Sequence, residues 1–426
     1  MEMKMPRAGN IFYGWWIVLA AAVGLLFSIG PIIVFTLGVF LKPLGSELYW
    51  SRAEISLAFT LCTVMTSLAM PLVGRLVDRH GARRVAVPSL LLFGILVASL
   101  YFLTASLWHL YAVFVLIGLV CSGSTPLPYA GVISEWFDRR RGLALGFTMA
   151  GVGVGTLVMP SLAHALVSTN GWRAAYACLG MLVIVIAAPT VGLLLKETPA
   201  MMGLQPDGDS APAAGVVKTR SQPAGLDCRD AWRTTAFWCL AVAFFLVSLV
   251  TNGCVVHLVP LLTDRGVSPQ SAAFVASVAG GAVLVGRVWT GYLLDRFFAP
   301  TVSIGFFLAL ALGVFLLWAG AMETGALFAA VLVGLGLGAE VDIIAFLVGR
   351  YFGLRAFGEI YGYLLAAFVL GAGVGPLLMG GGFDATGSYR WVLGAFALIT
   401  LVASGLMTQL GSYRYEAGVQ RPRAPR

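Results

Sequence analysis

Charge is what this sequence has least of. Only 11% of its 426 residues are Asp, Glu, Lys or Arg, against 59% that are apolar, and the apolar residues come in runs too long for a soluble core. Histidine is nearly absent too. Its four scattered copies, with no Gly-x-Ser-x-Gly and no His-Glu-x-x-His, leave an integral-membrane enzyme without a nucleophile, metal or acid-base set. No Gly-x-x-x-x-Gly-Lys loop is present, which argues against ATP-driven transport. The glycine clusters "GVGVG", "GLGLG" and "GAGVG" sit inside apolar runs, where small residues permit close helix contact. Five of the six cysteines (Cys62, Cys121, Cys178, Cys239, Cys254) lie in apolar segments and Cys228 lies in a loop, so neither a disulfide framework nor a metal set follows. The two-residue alternation of an outer-membrane barrel is missing, and the first apolar run is too long for a cleaved signal peptide. No cofactor is expected.

What remains is helix. Taking about 20 apolar residues per bilayer crossing, twelve spans are expected, near 15–40, 53–76, 84–105, 107–135, 142–168, 173–195, 235–262, 270–294, 301–321, 324–349, 357–382 and 390–411. They are α-helices because lipid offers backbone groups no partner. Short cytoplasmic loops retain Lys and Arg. With both termini inside, about 21 basic residues fall on the inner side, among them Lys4, Arg7, Arg75, the Arg139-Arg140-Arg141 run, Arg350 and Arg355. About 5 fall outside: Lys42, Arg52, Arg173, Arg265 and Arg390. The net charge of +8 is thereby explained by topology and attraction to anionic lipid, with no nucleic-acid partner.

The chain divides into two similar parts. Residues 1–195 and 233–412 each hold six spans, a Pro- and Gly-rich linker occupies 196–232, and a basic tail occupies 413–426. At an offset of about 216 residues, "GRLVDR" at Gly74 answers "GYLLDR" at Gly291. In the same register "EWFDRRRG" at Glu135 answers "GRYFGLRAFG" at Gly349, Pro160 answers Pro376, and "GWR" answers "SYR". Parallel six-helix repeats about an axis along the membrane normal belong to transporters that bind substrate between the halves.

Here the sequence resembles the major facilitator superfamily. Gly74, Asp78, Arg79, Gly81, Arg83 and Arg84 match that family's Gly-x-x-x-Asp-Arg-x-Gly-x-Arg-Arg signature, and Asp295 and Arg296 repeat its core in the second half. Physically the signature is a tight turn with Asp78 near the positive end of a neighbouring helix, a gating structure and no substrate contact. "WFDRRRGLALGFTMAGVGVG" is similar to the helix-five signature of monocarboxylate transporters. "YGWWIV" and "GAEVDIIAFLVGRYFGLRAFGEIYG" resemble bacterial relatives near the monocarboxylate and oxalate/formate branches. The resemblance implies a monomeric, multi-pass protein of the bacterial inner membrane. It would move a small organic anion by alternating access, with protons as the coupling partner. Export of drugs or other solutes, and anion exchange, are the alternatives.

The same resemblance implies an anion-binding arginine in helix eight, where Arg287 stands. Whatever the family, Arg287 is singular: it lies about 12 Å from the inner end, at 1.5 Å per residue, and burial there costs about 2.5 to 3.5 kcal/mol on insertion scales. It needs a partner or a wet cavity. A guanidinium clamps one carboxylate through two parallel bonds; the structural alternative is an ion pair with Glu340 or Asp342. In animal relatives an Asp one turn before this arginine and a Lys deep in helix one are assigned the coupling proton. Val283 and Phe35 stand in those places. "IYGYLLAAFVLGAG" in helix eleven lacks the second buried cation that a dianion would need.

Glu340 and Asp342 are therefore the candidates for proton coupling. Two residues apart, they point about 200° from each other on a helix, so only one can face a central cavity. His257 is a third candidate because its reference pKa is near physiological pH. Tyr129, Tyr361, Tyr363, Ser28 and Asn252 are further candidates for lining the substrate pocket, Tyr129 because two prolines beside it break its helix.

Overall fold

The computed structural model describes residues 12–208, 225–322 and 324–415. Lys4, Arg7, linker residues 209–224 and the tail beyond Tyr415 lie outside the described residues. Within them the chain forms no strand, only an isolated bridge between Gly225 and Gly353. The α-helices are α1 (Gly14–Leu26), α2 (Leu37–Leu48), α3 (Arg52–His80), α4 (Ala82–Ser99), α5 (Leu107–Val120), α6 (Pro126–Trp136), α7 (Arg141–Leu182), α8 (Ala188–Leu194), α9 (Cys228–Trp232), α10 (Thr235–Thr263), α11 (Pro269–Leu294), α12 (Ala299–Trp318), α13 (Thr324–Tyr351), α14 (Phe357–Thr386) and α15 (Arg390–Thr408).

Local chemistry sets these boundaries. Ser51 and Glu54 form a reciprocal capping box at the start of α3. The Thr234 and Ser268 side chains accept from the first turns of α10 and α11. Between α5 and α6, residues Cys121–Ser124 tighten into a 3₁₀ turn ahead of Pro126, which lacks the N–H that would continue the α-helix.

Among the described residues eleven stretches are long and apolar enough to cross a membrane. The expected spans 142–168 and 173–195 appear as one run, Arg141–Leu194, of 54 residues. That is about 80 Å of helix against a hydrocarbon core of about 30 Å. Gly171 interrupts it with φ 79° and ψ 165°, outside the helical region, a conformation glycine adopts without strain.

Several close glycine contacts bring residues 12–208 and 225–415 together, and two of them copy each other. A Cβ on Gly74 in α3 would overlap the Gly358 carbonyl in α14, and one on Gly142 in α7 would overlap the Gly291 carbonyl in α11. Gly291 is 217 residues after Gly74, and Gly358 is 216 after Gly142, so the sequence offset reappears as a repeated close approach. The end of the bundle carrying these contacts also carries the loop arginines. It is called the basic end below, and the opposite one the far end.

Candidate functional site

The site begins with how α13 lies on α11. A Cβ on Gly334 would strike the Ala279 carbonyl, and one on Gly338 would strike the Val283 carbonyl and the Arg287 amide. Both numbers rise together, so the helices run parallel and their backbones touch. The turn after Gly338 is then level with Arg287, and that turn carries Glu340 and Asp342.

All three charged side chains are buried, Arg287 at 8% exposure and the two acids at 0%. Among the described residues no ion pair or hydrogen bond joins them: Arg287 Nε and Nη1 and all four carboxylate oxygens are buried without a protein partner. The charge of Arg287 nevertheless acts on both acids. Their surroundings differ. Asp342 and Arg287 both act on Tyr361 of α14, whose hydroxyl is buried and unpartnered. Glu340 faces Thr251 of α10 instead, but Thr251 Oγ1 donates to the Val247 and Ser248 carbonyls at 3.0 and 3.2 Å, leaving no well-formed bond to the carboxylate. Unspent polar groups at this depth are costly unless something binds them.

The other candidates are dispersed. The Tyr129 hydroxyl is buried against Gly24 of α1, and Tyr363 stacks edge-on against Trp232 at 4.8 Å. Ser28 donates to the Leu25 carbonyl at 2.7 Å, and the Asn252 amide donates to the Ser248 carbonyl at 2.9 Å. His257 has both ring nitrogens engaged, one 3.1 Å from the Pro376 carbonyl and the other 3.2 Å from the Tyr389 hydroxyl. A cavity of about 870 Å³ at the far end is lined by Leu262, Val267, Phe274, Met322 and Leu327 among others, and among the described residues its lining carries no charge. Among the described residues no cluster suits a metal ion.

At the basic end the two glycine contacts are reinforced by carboxylates. Asp78 accepts from the Gly358 and Glu359 amides of α14 at 2.7 and 2.8 Å, and Asp295 accepts from the Gly142 and Leu143 amides of α7 at 2.6 and 2.9 Å. Each acid thus meets the positive end of a helix in the other half. Burial pushes the half-buried Asp295 carboxyl up to about 6, against the pull of those amides and of Arg350 and Arg141. The signature arginines Arg79, Arg83 and Arg84 are exposed, Arg296 lies 4.1 Å over the Tyr292 ring, and Gly81 turns with φ 89° beside Glu197, which caps α4 through the Ala82 and Arg83 amides.

Sequence reading alone missed Arg141, Asp138 and Glu359. Arg350 reaches Asp138 from 212 residues away, and Arg75 reaches Glu359 at 2.5 Å from 284 residues away. The only prior signal for Arg141 was its place in a basic run.

A model of the Major Facilitator Superfamily matches residues 21–357. Monocarboxylate transporter 11 of Mus musculus is 27% identical over 400 residues, covering 91% of this chain and 85% of that protein. The uncharacterized MFS-type transporter YhjX of Escherichia coli is 26% identical over 369 residues, 84% of this chain and 85% of that one. The E. coli fucose:proton symporter FucP superposes with a TM-score of 0.68 at 14% identity, covering 93% of this chain and 98% of its own. A bacterial homologue of the iron transporter ferroportin in an outward-facing state gives 0.71, also at 14% identity, over 94% and 99%. The solved structures speak for the fold alone, and the family match speaks for membership: this all-helical, multi-pass membrane chain belongs to the major facilitator superfamily of transporters.

Proposed function

We propose that the protein is a secondary carrier of small monocarboxylates across the bacterial cytoplasmic membrane, with the basic end in the cytoplasm and Gly171 joining two of twelve crossings. The observation that carries this is Arg287, well inside α11, with Nε and Nη1 buried and unspent. A carboxylate satisfies that fork with two parallel bonds. Relatives named monocarboxylate transporters support the substrate class.

Coupling follows from the two acids. In an empty site Asp342 offsets the charge of Arg287; protonating Asp342 removes that competition and frees the guanidinium for substrate. Tyr361, within reach of the fields of both, is placed to hydrogen-bond the arriving carboxylate. With the basic end closed by Asp78 and Asp295, substrate enters from the far end. Closure over the substrate then has to break the contacts between Asp78 and α14 and between Asp295 and α7.

The test is uptake of radiolabelled acetate, pyruvate, lactate and benzoate by proteoliposomes, with and without an inward proton gradient. Arg287→Ala is expected to lower uptake about a hundredfold, the order expected for losing two charge-assisted bonds. Asp342→Asn is expected to keep exchange but lose gradient-driven accumulation. Full accumulation by both Asp342→Asn and Glu340→Gln would end the coupling assignment.

A further inference from the structure

At the basic end two buried guanidiniums close on one carboxylate. Asp138, in the turn between α6 and α7, sits between two guanidiniums from opposite halves. Arg350 of α13 places Nη1 3.3 Å from Asp138 Oδ1 and Nη2 3.2 Å from the Asp138 carbonyl, and Arg141 Nη2 lies 3.6 Å from the same Oδ1. Both arginines are nine-tenths buried, at 7% and 10% side-chain exposure, and Arg350 Nε is buried with no protein partner. The two like charges are close enough to repel, so the arrangement needs an anion between them.

The two arginines are anchored differently. Arg141 donates Nε to the Phe137 carbonyl at 3.2 Å and Nη2 to the Ser134 carbonyl at 3.1 Å, so it belongs to the first half. Asp138 is held there too, because its amide and that of Arg139 donate to Asp207 at 3.0 and 2.9 Å. Arg350 belongs to α13 and must leave Asp138 when the basic end opens. A buried guanidinium stripped of its carboxylate is costly. Arg350 is then left at the mouth of the path, eight residues or about 12 Å along α13 from Asp342.

We propose that Arg350 is a second docking station for the substrate carboxylate, used on the cytoplasmic side, and that Asp138 is its intramolecular competitor. An anion passes between Arg287 and Arg350 on its way through the opened basic end, while Asp138 reoccupies Arg350 on closure. This rests on Arg287 binding a carboxylate, and the experiment separates the two.

Initial rates are measured with radiolabelled acetate, pyruvate, lactate and benzoate presented separately at each face, in right-side-out and inside-out vesicles. Arg350→Ala should raise KM at the basic face about tenfold, the effect of one lost charged contact, and leave the far-face KM unchanged. Asp138→Asn should lower the basic-face KM. Arg350→Lys should fall between wild type and Ala, and keeps the comparison available if Ala does not fold. Arg287→Ala should impair both faces. If Arg350→Ala and Asp138→Asn move both faces alike, Arg350 is only a latch and the station is overturned while the function stands. If no acid of the set is carried, both fall together.

Discussion

At the basic end, acids of one half reach backbone amides of the other, and arginines cross the same boundary to Asp138 and Glu359. At the far end the bonds stay at home. Glu47 holds Trp172 and Arg173 within the first half, while Arg265 bonds the Leu317 carbonyl and His257 bonds Tyr389 within the second. Among the described residues no side-chain bond joins the halves at the far end; the one nearer mid-depth is Ser67 to the Ala366 carbonyl at 3.0 Å. On the proposed alternating-access reading, a molecule fastened at one end and merely braced at the other is in one of its two working positions. On that reading the cross-half bonds are those that have to break in each cycle, and the within-half bonds are those that keep each bundle rigid while they do.

The strongest way to break this contrast is steric. Gly142→Leu puts a side chain on the Gly291 carbonyl, and overpacking of this kind costs about 1 to 3 kcal/mol. Spin labels across the basic end should separate, those across the far end should approach, and uptake should fall about tenfold or more. An unchanged distance distribution would show that the glycine contact does not set the position.

A smaller effect is expected from pH. The Asp295 carboxyl titrates at about 6 when capped on α7, above its ordinary value of 3.8. The closed end therefore binds a proton more tightly than an open, solvated one, so lowering the pH from about 6 toward 4 favours closure, and raising it through that window weakens closure. Spin-label distances at the basic end should follow that sign, and Asp295→Asn should flatten the dependence.

The smallest effects separate the two kinds of surface pair. Arg75 is 49% exposed, so Glu359→Gln is expected to change the basic-end distances only slightly. Glu47→Gln at the far end should leave distances and uptake as they were, because Glu47 ties parts of one half. A Glu47 effect on closure as large as that of Gly142→Leu would erase the distinction between the ends.

Much of the fold was legible because lipid leaves few options: long apolar runs mean helices, and the offset of about 216 residues that pairs Gly74 with Gly291 also pairs the contacts they make. The break at Gly171 falls in the gap expected between 142–168 and 173–195, where a glycine with positive φ turns the chain without ending the helical run. Sequence placed Glu340 and Asp342 about 200° apart but not their azimuth. A helix fixes the angles between its own side chains, and only a neighbour fixes the zero. Gly334 and Gly338 supply that zero by pressing α13 onto α11, which turns Asp342 toward Tyr361 and Glu340 toward Thr251. Tyr361 and Tyr363 separated for the same reason. Asp138 and Arg350 were illegible as a pair because nothing local relates residues 212 apart.

The reciprocal caps carry an implication about descent. Each half gives one acid, Asp78 or Asp295, and receives one at the start of α14 or α7. Two identical copies of a single ancestral half would already own everything needed to shut the basic end. Arg287 has no such twin: at the repeat offset of 217 the first half has Met70. A homodimeric forerunner would have carried two deep arginines or none, so a site with one positive charge became attainable only after fusion let the halves diverge. On the proposed roles of Asp78, Asp295 and Arg287, the gate is the inherited part of this carrier, and its choice of cargo is the later invention.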